Sequence, residues 1–114
     1  MIEIYHNPRC GKSRNCLAFL DQSNQDYKII PYLTETPSFA DLKLLLEKLS
    51  LKPLQLVRVK EKIWIENYKQ KNLNEDEIIQ AMADHPILIE RPIVIKDGKA
   101  IIGRDLDLVA SFLD

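Results

Sequence analysis

The chain has 114 residues, 46% hydrophobic and 29% charged, and at this length roughly two thirds of the unfolded surface is buried, so we expect a single domain over residues 1–114. With 16 Lys and Arg against 17 Asp and Glu, the net charge of -1 argues against a nucleic-acid partner, because non-specific binding to phosphates needs a basic excess. No apolar run approaches the ~20 residues of a membrane span and no signal peptide precedes the first strand pattern, which predicts no membrane partner and a cytoplasmic location.

The first third of the chain predicts a strand, a helix and a second strand. Residues 2–5 alternate in polarity like a short strand, and residues 27–32 have the pattern of another. Between them, a turn at residues 6–11 leads into a helix at about residues 13–22. Because a helical crossover normally joins parallel strands, we expect the two strands to pair in parallel.

The middle third predicts only helices. Ser38 begins an S-x-x-D capping box. Leucines then recur at the spacing of one helix face: Leu42, Leu45, Leu46 and Leu49. Residues 53–57 and 63–70 predict two shorter helices, and Asn74 is placed to cap another.

The final third predicts a hairpin and a closing helix. Two strand patterns, at residues 92–96 and 99–102, flank Asp97-Gly98, a pair that supplies the positive φ angles of a two-residue hairpin turn. Residues 105–113 then have helical spacing. The order predicts an α/β protein with a thioredoxin-like fold: a four-stranded mixed sheet flanked by helices, with a helical insertion in the middle of the chain.

Cys10 is the candidate nucleophile. It lies in the turn before the first helix, where backbone N–H groups at the helix start have no intrahelical acceptor. Arg9, Lys12 and Arg14 add positive charge around the same turn. Both features favour a thiolate, which is the reactive form of cysteine.

Cys16 is better explained as a packing residue. Six helical residues rise about 9 Å, more than the ~7 Å between Cα atoms that a disulfide with Cys10 tolerates. A resolving-thiol role for Cys16 is the alternative. The C-x5-R loop of one phosphatase class is excluded, because Cys16 stands where its arginine would be. Two cysteines are also too few for a four-cysteine zinc site, and we expect no metal.

Three arginines point to an oxyanion. Arg58, Arg91 and Arg104 each lie outside any run of charged residues. The guanidinium fork fits a tetrahedral oxyanion better than an ammonium does, so their convergence on Cys10 would form a pocket for a phosphate-like or arsenate-like anion. Scattered surface arginines are the other interpretation. His6, before the turn, could hydrogen-bond near Cys10 or stabilise the loop.

Three segments carry a resemblance to a known family. Residues 5–15 (YHNPRCGKSRN), 85–94 (HPILIERPIV) and 103–104 (GR) resemble the glutaredoxin-coupled arsenate reductases, and the resemblance runs the full length of the chain. It implies a thioredoxin-like fold with a helical insertion and a cis proline at Pro92. It also places the chain in an arsenate-reductase-like branch, because Arg9 and Lys12 flank Cys10 and Asp105 stands where proline is common.

The resemblance implies a role for each matched residue. Cys10 is the nucleophile, and His6, Ser13 and Arg14 stabilise its thiolate. The oxyanion ligands are Arg58, Arg91 and Arg104. Asp105 adds a negative charge beside the last of these, so we expect weaker oxyanion binding if its carboxylate points into the pocket.

The implied reaction needs one enzyme cysteine. The Cys10 thiolate attacks arsenate to give a thiol-arsenate adduct, displacement by glutathione follows, and reduction by glutaredoxin then releases arsenite. Glutathione is thus a co-substrate and glutaredoxin a partner, with no bound cofactor. Two alternatives remain: a general thiol oxidoreductase of unidentified substrate, and an Spx-type transcription regulator, which would need a C-x-x-C switch where this chain has Ser13.

Overall fold

A computed structural model describes residues 1–114 and divides them into two compact units. The first unit comprises Met1–Glu35 and Arg91–Asp114, and the second unit comprises Thr36–Glu90. The expectation of one domain over residues 1–114 stays a prediction. None of the helices has the length and apolar character needed to cross a lipid bilayer.

The elements follow the predicted order. The strands are β1 Ile2–Tyr5, β2 Tyr27–Ile30, β3 Ile93–Lys96 and β4 Lys99–Ile102. The helices are α1 Gly11–Gln22, α2 Phe39–Leu49, α3 Pro53–Leu56, α4 Lys62–Asn67, α5 Glu75–Asp84 and α6 Leu106–Leu113, with a 3-10 turn at Pro86–Leu88. The thioredoxin-like layout, with its helical insertion between β2 and β3, is therefore confirmed.

The four strands of the first unit form one mixed sheet in the order β2-β1-β3-β4. β1 pairs in parallel with β2, whereas the β1–β3 and β3–β4 pairs are antiparallel. The predicted hairpin turn is confirmed, because Asp97 and Gly98 have φ angles of 53° and 77°. β2 is shorter than predicted: Pro31 has no N–H to donate, and the N–H of Tyr32 turns back to the carbonyl of Ile30 at 2.9 Å.

The core of the first unit lies between the sheet and the two helices α1 and α6. Its buried side chains come from β1, α1, β3 and α6: Ile2, Ile4, Cys16, Leu20, Val94, Val109 and Leu113. Cys16 is 0% exposed, which confirms that it packs in the core. The alternation of β1 and the helical spacing of α1 and α6 place these residues on facing surfaces.

The second unit is helical, apart from an isolated antiparallel bridge between Val57 and Ile89. Ser38 and Asn74 form the predicted capping boxes at the starts of α2 and α5. The bridge brings the segment after α3 alongside the segment after the 3-10 turn, and the N–H of Glu90 donates to the carbonyl of Leu56 at 2.8 Å. This pairing sets the surroundings of Arg58.

Candidate active site

Three predicted site segments of the first unit leave the sheet at the same end. β1 ends at Tyr5, which pairs with Ile93 at the start of β3, and Ile93 pairs with Ile102 at the end of β4. The end of β1, the start of β3 and the end of β4 are therefore adjacent. The segments that continue from them are residues 6–10, residues 91–92 and residues 103–104, which carry Cys10, Arg91 and Arg104.

Cys10 is the N-cap residue of α1. Its backbone is extended, with φ -96° and ψ 123°, so the helix begins at Gly11, two residues earlier than predicted. The side chain is half-buried and makes no capping hydrogen bond. Because the first N–H groups of a helix lack intrahelical acceptors, the Cys10 sulfur stands beside the positive end of the α1 dipole. This position favours the binding of an anion next to the sulfur.

A buried polar cluster holds the turn that carries Cys10. His6 Nδ1 lies 2.7 Å from Ser13 Oγ, and the N–H of Asn7 donates to the same Oγ at 3.0 Å. Burial, and then the charge of Arg14, lower the pKa of His6, so its imidazole is neutral at pH 7. Ser13 Oγ therefore links the His6 imidazole to the backbone of Asn7.

Asn7 is a site residue that the sequence reasoning missed. It is buried, and besides its bond to Ser13 its carbonyl accepts from the N–H of Cys10 and its Oδ1 accepts from the N–H of Arg9, both at 3.0 Å. These bonds fold the chain into the compact turn before α1. The sequence feature that could have indicated Asn7 is an Asn before Pro8 in a turn, since Asn side chains readily form hydrogen bonds with the backbone two residues further on.

Arg14 contacts the backbone of the same turn. Its Nη1 donates to the carbonyl of Pro8 at 3.0 Å, although the side chain is exposed. The guanidinium is thereby tied across the turn and its charge acts on His6. Arg14 is therefore a fixed positive charge beside the turn that bears Cys10.

Arg91 is the most unusual polar side chain in the structure. It is only 8% exposed, yet its Nε and Nη1 have no hydrogen-bond partner. A buried donor without a partner costs about 1–3 kcal/mol, and more when it carries charge. Arg91 precedes a cis peptide bond to Pro92, as the family resemblance implies. Buried guanidinium donors without partners suit the binding of an anion.

Arg104 and Asp105 follow β4. The N–H of Gly103 donates to the carbonyl of Pro92 at 2.8 Å, which joins this segment to the one carrying Arg91, and Arg104 itself is exposed. Asp105 is the N-cap of α6, and its Oδ1 accepts from the N–H groups of Asp107 at 2.9 Å and Leu108 at 3.4 Å. Helix capping therefore explains the Asp that departs from the family pattern.

Arg58 belongs to the second unit. Its Nη1 lies 2.5 Å from Glu61 Oε2, and its Nε lies 3.5 Å from Glu90 Oε1. Its backbone N–H donates to the carbonyl of Leu88 at 2.7 Å. Unlike Arg91, Arg58 thus has carboxylate partners.

No three His, Cys, Asp or Glu side chains are grouped as a metal site would require. At the described end of the sheet, the segments that carry Arg91 and Arg104 lie beside the turn that carries the Cys10 thiol. This combination suits attack on a bound oxyanion.

Comparison with known proteins places the chain in a family. The sequence model of the ArsC family matches residues 5–112. An arsenate reductase from Neisseria meningitidis is 40% identical over 114 residues, which cover 98% of this chain and 97% of the relative. Two solved structures, a putative arsenate reductase from Yersinia pestis and an arsenate reductase from Vibrio cholerae, are 44% and 41% identical, and each superposes with a TM-score of 0.91. The two matches cover 97% and 96% of this chain, and 99% and 95% of the Y. pestis and V. cholerae chains, respectively. The chain belongs to the ArsC family.

Proposed function

We propose that the protein is an arsenate reductase in which the Cys10 thiolate attacks arsenate. The observation that carries the proposal is the buried Arg91 guanidinium, whose Nε and Nη1 lack partners at the end of the sheet where the Cys10 turn also lies. The names of the N. meningitidis and V. cholerae relatives support arsenate as the oxyanion.

In this proposal the site residues have the roles that the resemblance implies. His6, Ser13 and Arg14 hold the Cys10 turn and its thiolate. Arg58, Arg91 and Arg104 are the oxyanion ligands. Fixed guanidinium and helix-dipole charges stabilise the negative charge that develops on the arsenate oxygens as sulfur attacks.

The reductants come from outside the chain. Sulfur of Cys10 bonds to As(V) as water leaves, and glutathione then forms a second S–As bond with loss of another water. The glutaredoxin thiolate attacks the glutathione sulfur, and the S–As electron pair stays on arsenic, so As(V) becomes As(III) while a glutaredoxin–glutathione disulfide leaves. Hydrolysis of the remaining bond releases arsenite and restores Cys10.

The state of Cys16 supports external thiols. It is fully buried, and burial raises the pKa of its thiol to about 11, so it is protonated and inaccessible at neutral pH. Glutathione as co-substrate and glutaredoxin as partner then supply both electrons, with no bound cofactor. This route requires a reducing compartment, and we propose a cytoplasmic location for that reason.

A coupled assay tests the proposal. Arsenate-dependent NADPH oxidation is measured with glutathione, glutaredoxin and glutathione reductase. Turnover should be lost in Cys10→Ser and retained in the matched control Cys16→Ala. Absence of turnover, or equal turnover after Cys10→Ser, would contradict the proposal, and turnover of a glutathionylated peptide with no response to arsenate would favour a general thiol oxidoreductase.

A further inference from the structure

The Arg58 side chain is held between two carboxylates of its own unit. The ion pairs to Glu61 and Glu90 use Nη1 and Nε, on two sides of the guanidinium. The side chains of Arg58, Glu61 and Glu90 are 28%, 26% and 17% exposed, so all three are partly withdrawn from water. Reduced solvation makes their mutual attraction stronger than that of a surface pair.

This arrangement opposes oxyanion binding at Arg58. One guanidinium faces two carboxylates. An oxyanion that approaches Arg58 meets repulsion from both carboxylates and competes with them for the N–H donors. Arg91 offers the contrast, since its Nε and Nη1 have no partner to displace.

We propose that Glu61 and Glu90 set the oxyanion affinity of the protein by competing for Arg58. The inference rests on the proposed function, in which Arg58 is an oxyanion ligand. Glu61 and Glu90 are specificity-determining residues that act through Arg58 and do not touch the reacting atoms. They weaken the binding of any tetrahedral oxyanion at Arg58, so occupancy there requires a higher oxyanion concentration.

Direct binding of arsenate tests the competition. Arsenate is titrated calorimetrically into Cys10→Ser protein, which cannot form the covalent adduct, with and without the pair Glu61→Gln and Glu90→Gln. Glutamine keeps the size of each side chain and removes its charge. We expect the Kd for arsenate to fall about five-fold in the double Gln background. Glu66→Gln, which removes the exposed partner of Lys62, is the matched control and should leave Kd unchanged.

Arg58→Ala completes the cycle. Arg58→Ala should raise Kd more in the double Gln background than in the background with both carboxylates. Only in the double Gln background is the guanidinium available to bind arsenate. An unchanged or raised Kd in the Gln variants would overturn the proposal, as would an Arg58→Ala effect of equal size in both backgrounds. Thermal unfolding shows whether each variant is folded. If the double Gln variant does not fold, the single variant Glu61→Gln replaces it in the titrations.

Turnover separates this inference from the proposed function. With Cys10 intact, the Gln variants should lower KM for arsenate and leave kcat unchanged, since the thiol chemistry is untouched. If the protein does not turn over arsenate, the proposed function fails while the arsenate Kd values still decide the competition. If turnover is present and Kd is insensitive to the carboxylates, only the competition fails.

Discussion

Gly103 is the residue near the candidate site whose replacement has the best-defined structural cost. A Cβ at this position would lie 3.0 Å from Cys16 Sγ, 3.2 Å from Val94 Cγ2 and 3.3 Å from Val109 Cγ2. Nonbonded carbon atoms prefer separations of about 3.5–4.0 Å. All three neighbours are fully buried, so none can move aside into solvent. Adding one methyl group therefore displaces core side chains from three different elements.

We predict that Gly103→Ala lowers the free energy of unfolding by about 1–3 kcal/mol, the usual cost of overfilling a packed core. Urea unfolding followed by far-ultraviolet circular dichroism measures the change. With a urea m-value of about 1–3 kcal/mol/M, the midpoint should fall by roughly 1 M and m should stay the same. The constraint matters for the site, because Gly103 also bonds to Pro92 and precedes Arg104.

Two further variants identify the cause of that loss. Cys16→Ala removes the atom nearest to the new methyl group, so the cost of Gly103→Ala should shrink by at least about 0.5 kcal/mol in that background. Gly98→Ala is the control: Gly98 has φ 77° and no heavy atom within 4 Å, so its cost is backbone strain that Cys16→Ala cannot relieve. An unchanged midpoint for Gly103→Ala, or the same cost in both Cys16 backgrounds, would refute the packing argument.

Three other predictions follow from buried groups. Arg91→Met should raise the free energy of unfolding by about 1–2 kcal/mol in urea, because it removes buried donors that have no partner, and should abolish arsenate turnover; a less stable variant that still turns over would contradict this. The thiol of Cys16 ionises near 9.0 in the unfolded chain and near 11 in the folded one, so the folded state binds more protons in this range. Stability should therefore fall by roughly 2–3 kcal/mol between pH 9 and pH 11, and the corresponding slope should be missing from Cys16→Ala. Ser13→Ala leaves His6 Nδ1 and the N–H of Asn7 without their shared partner, so it should lower the free energy of unfolding by about 1–3 kcal/mol. The same variant should change kcat by a larger factor than KM, and kcat should fall. A variant with normal stability and kcat would argue against a role for the cluster.

The fold could be predicted where the signal is local. Ser38 and Asn74 cap their helices through residues three positions away, and Asp97-Gly98 adopts the turn that its own φ preferences demand. The start of α1 was predicted two residues late, because Cys10 caps the helix without a side-chain hydrogen bond and so leaves no capping signature. Short-range rules describe these elements well because their decisive contacts lie within one turn.

The site could be predicted only in part, because its decisive contacts are between residues distant in sequence. The helical spacing predicted Cys16 as a core residue, and the structure confirms it. The nucleophilic role of Cys10 stays a prediction. The Glu90 partner of Arg58 could not be predicted, since it reaches Arg58 only through the bridge between Val57 and Ile89. Whether a given arginine is paired or left without partners depends on such tertiary pairings.

We propose that Cys10 attacks an oxyanion held by Arg91, and both residues belong to the first unit. A crystal structure of the protein soaked with arsenate, with arsenic located by anomalous scattering, tests it most directly. Arsenic should be bonded to Cys10 Sγ, and the arsenate oxygens should accept hydrogen bonds from Nε and Nη1 of Arg91. Arsenic bound elsewhere, or Arg91 without contact to the anion, would contradict the account.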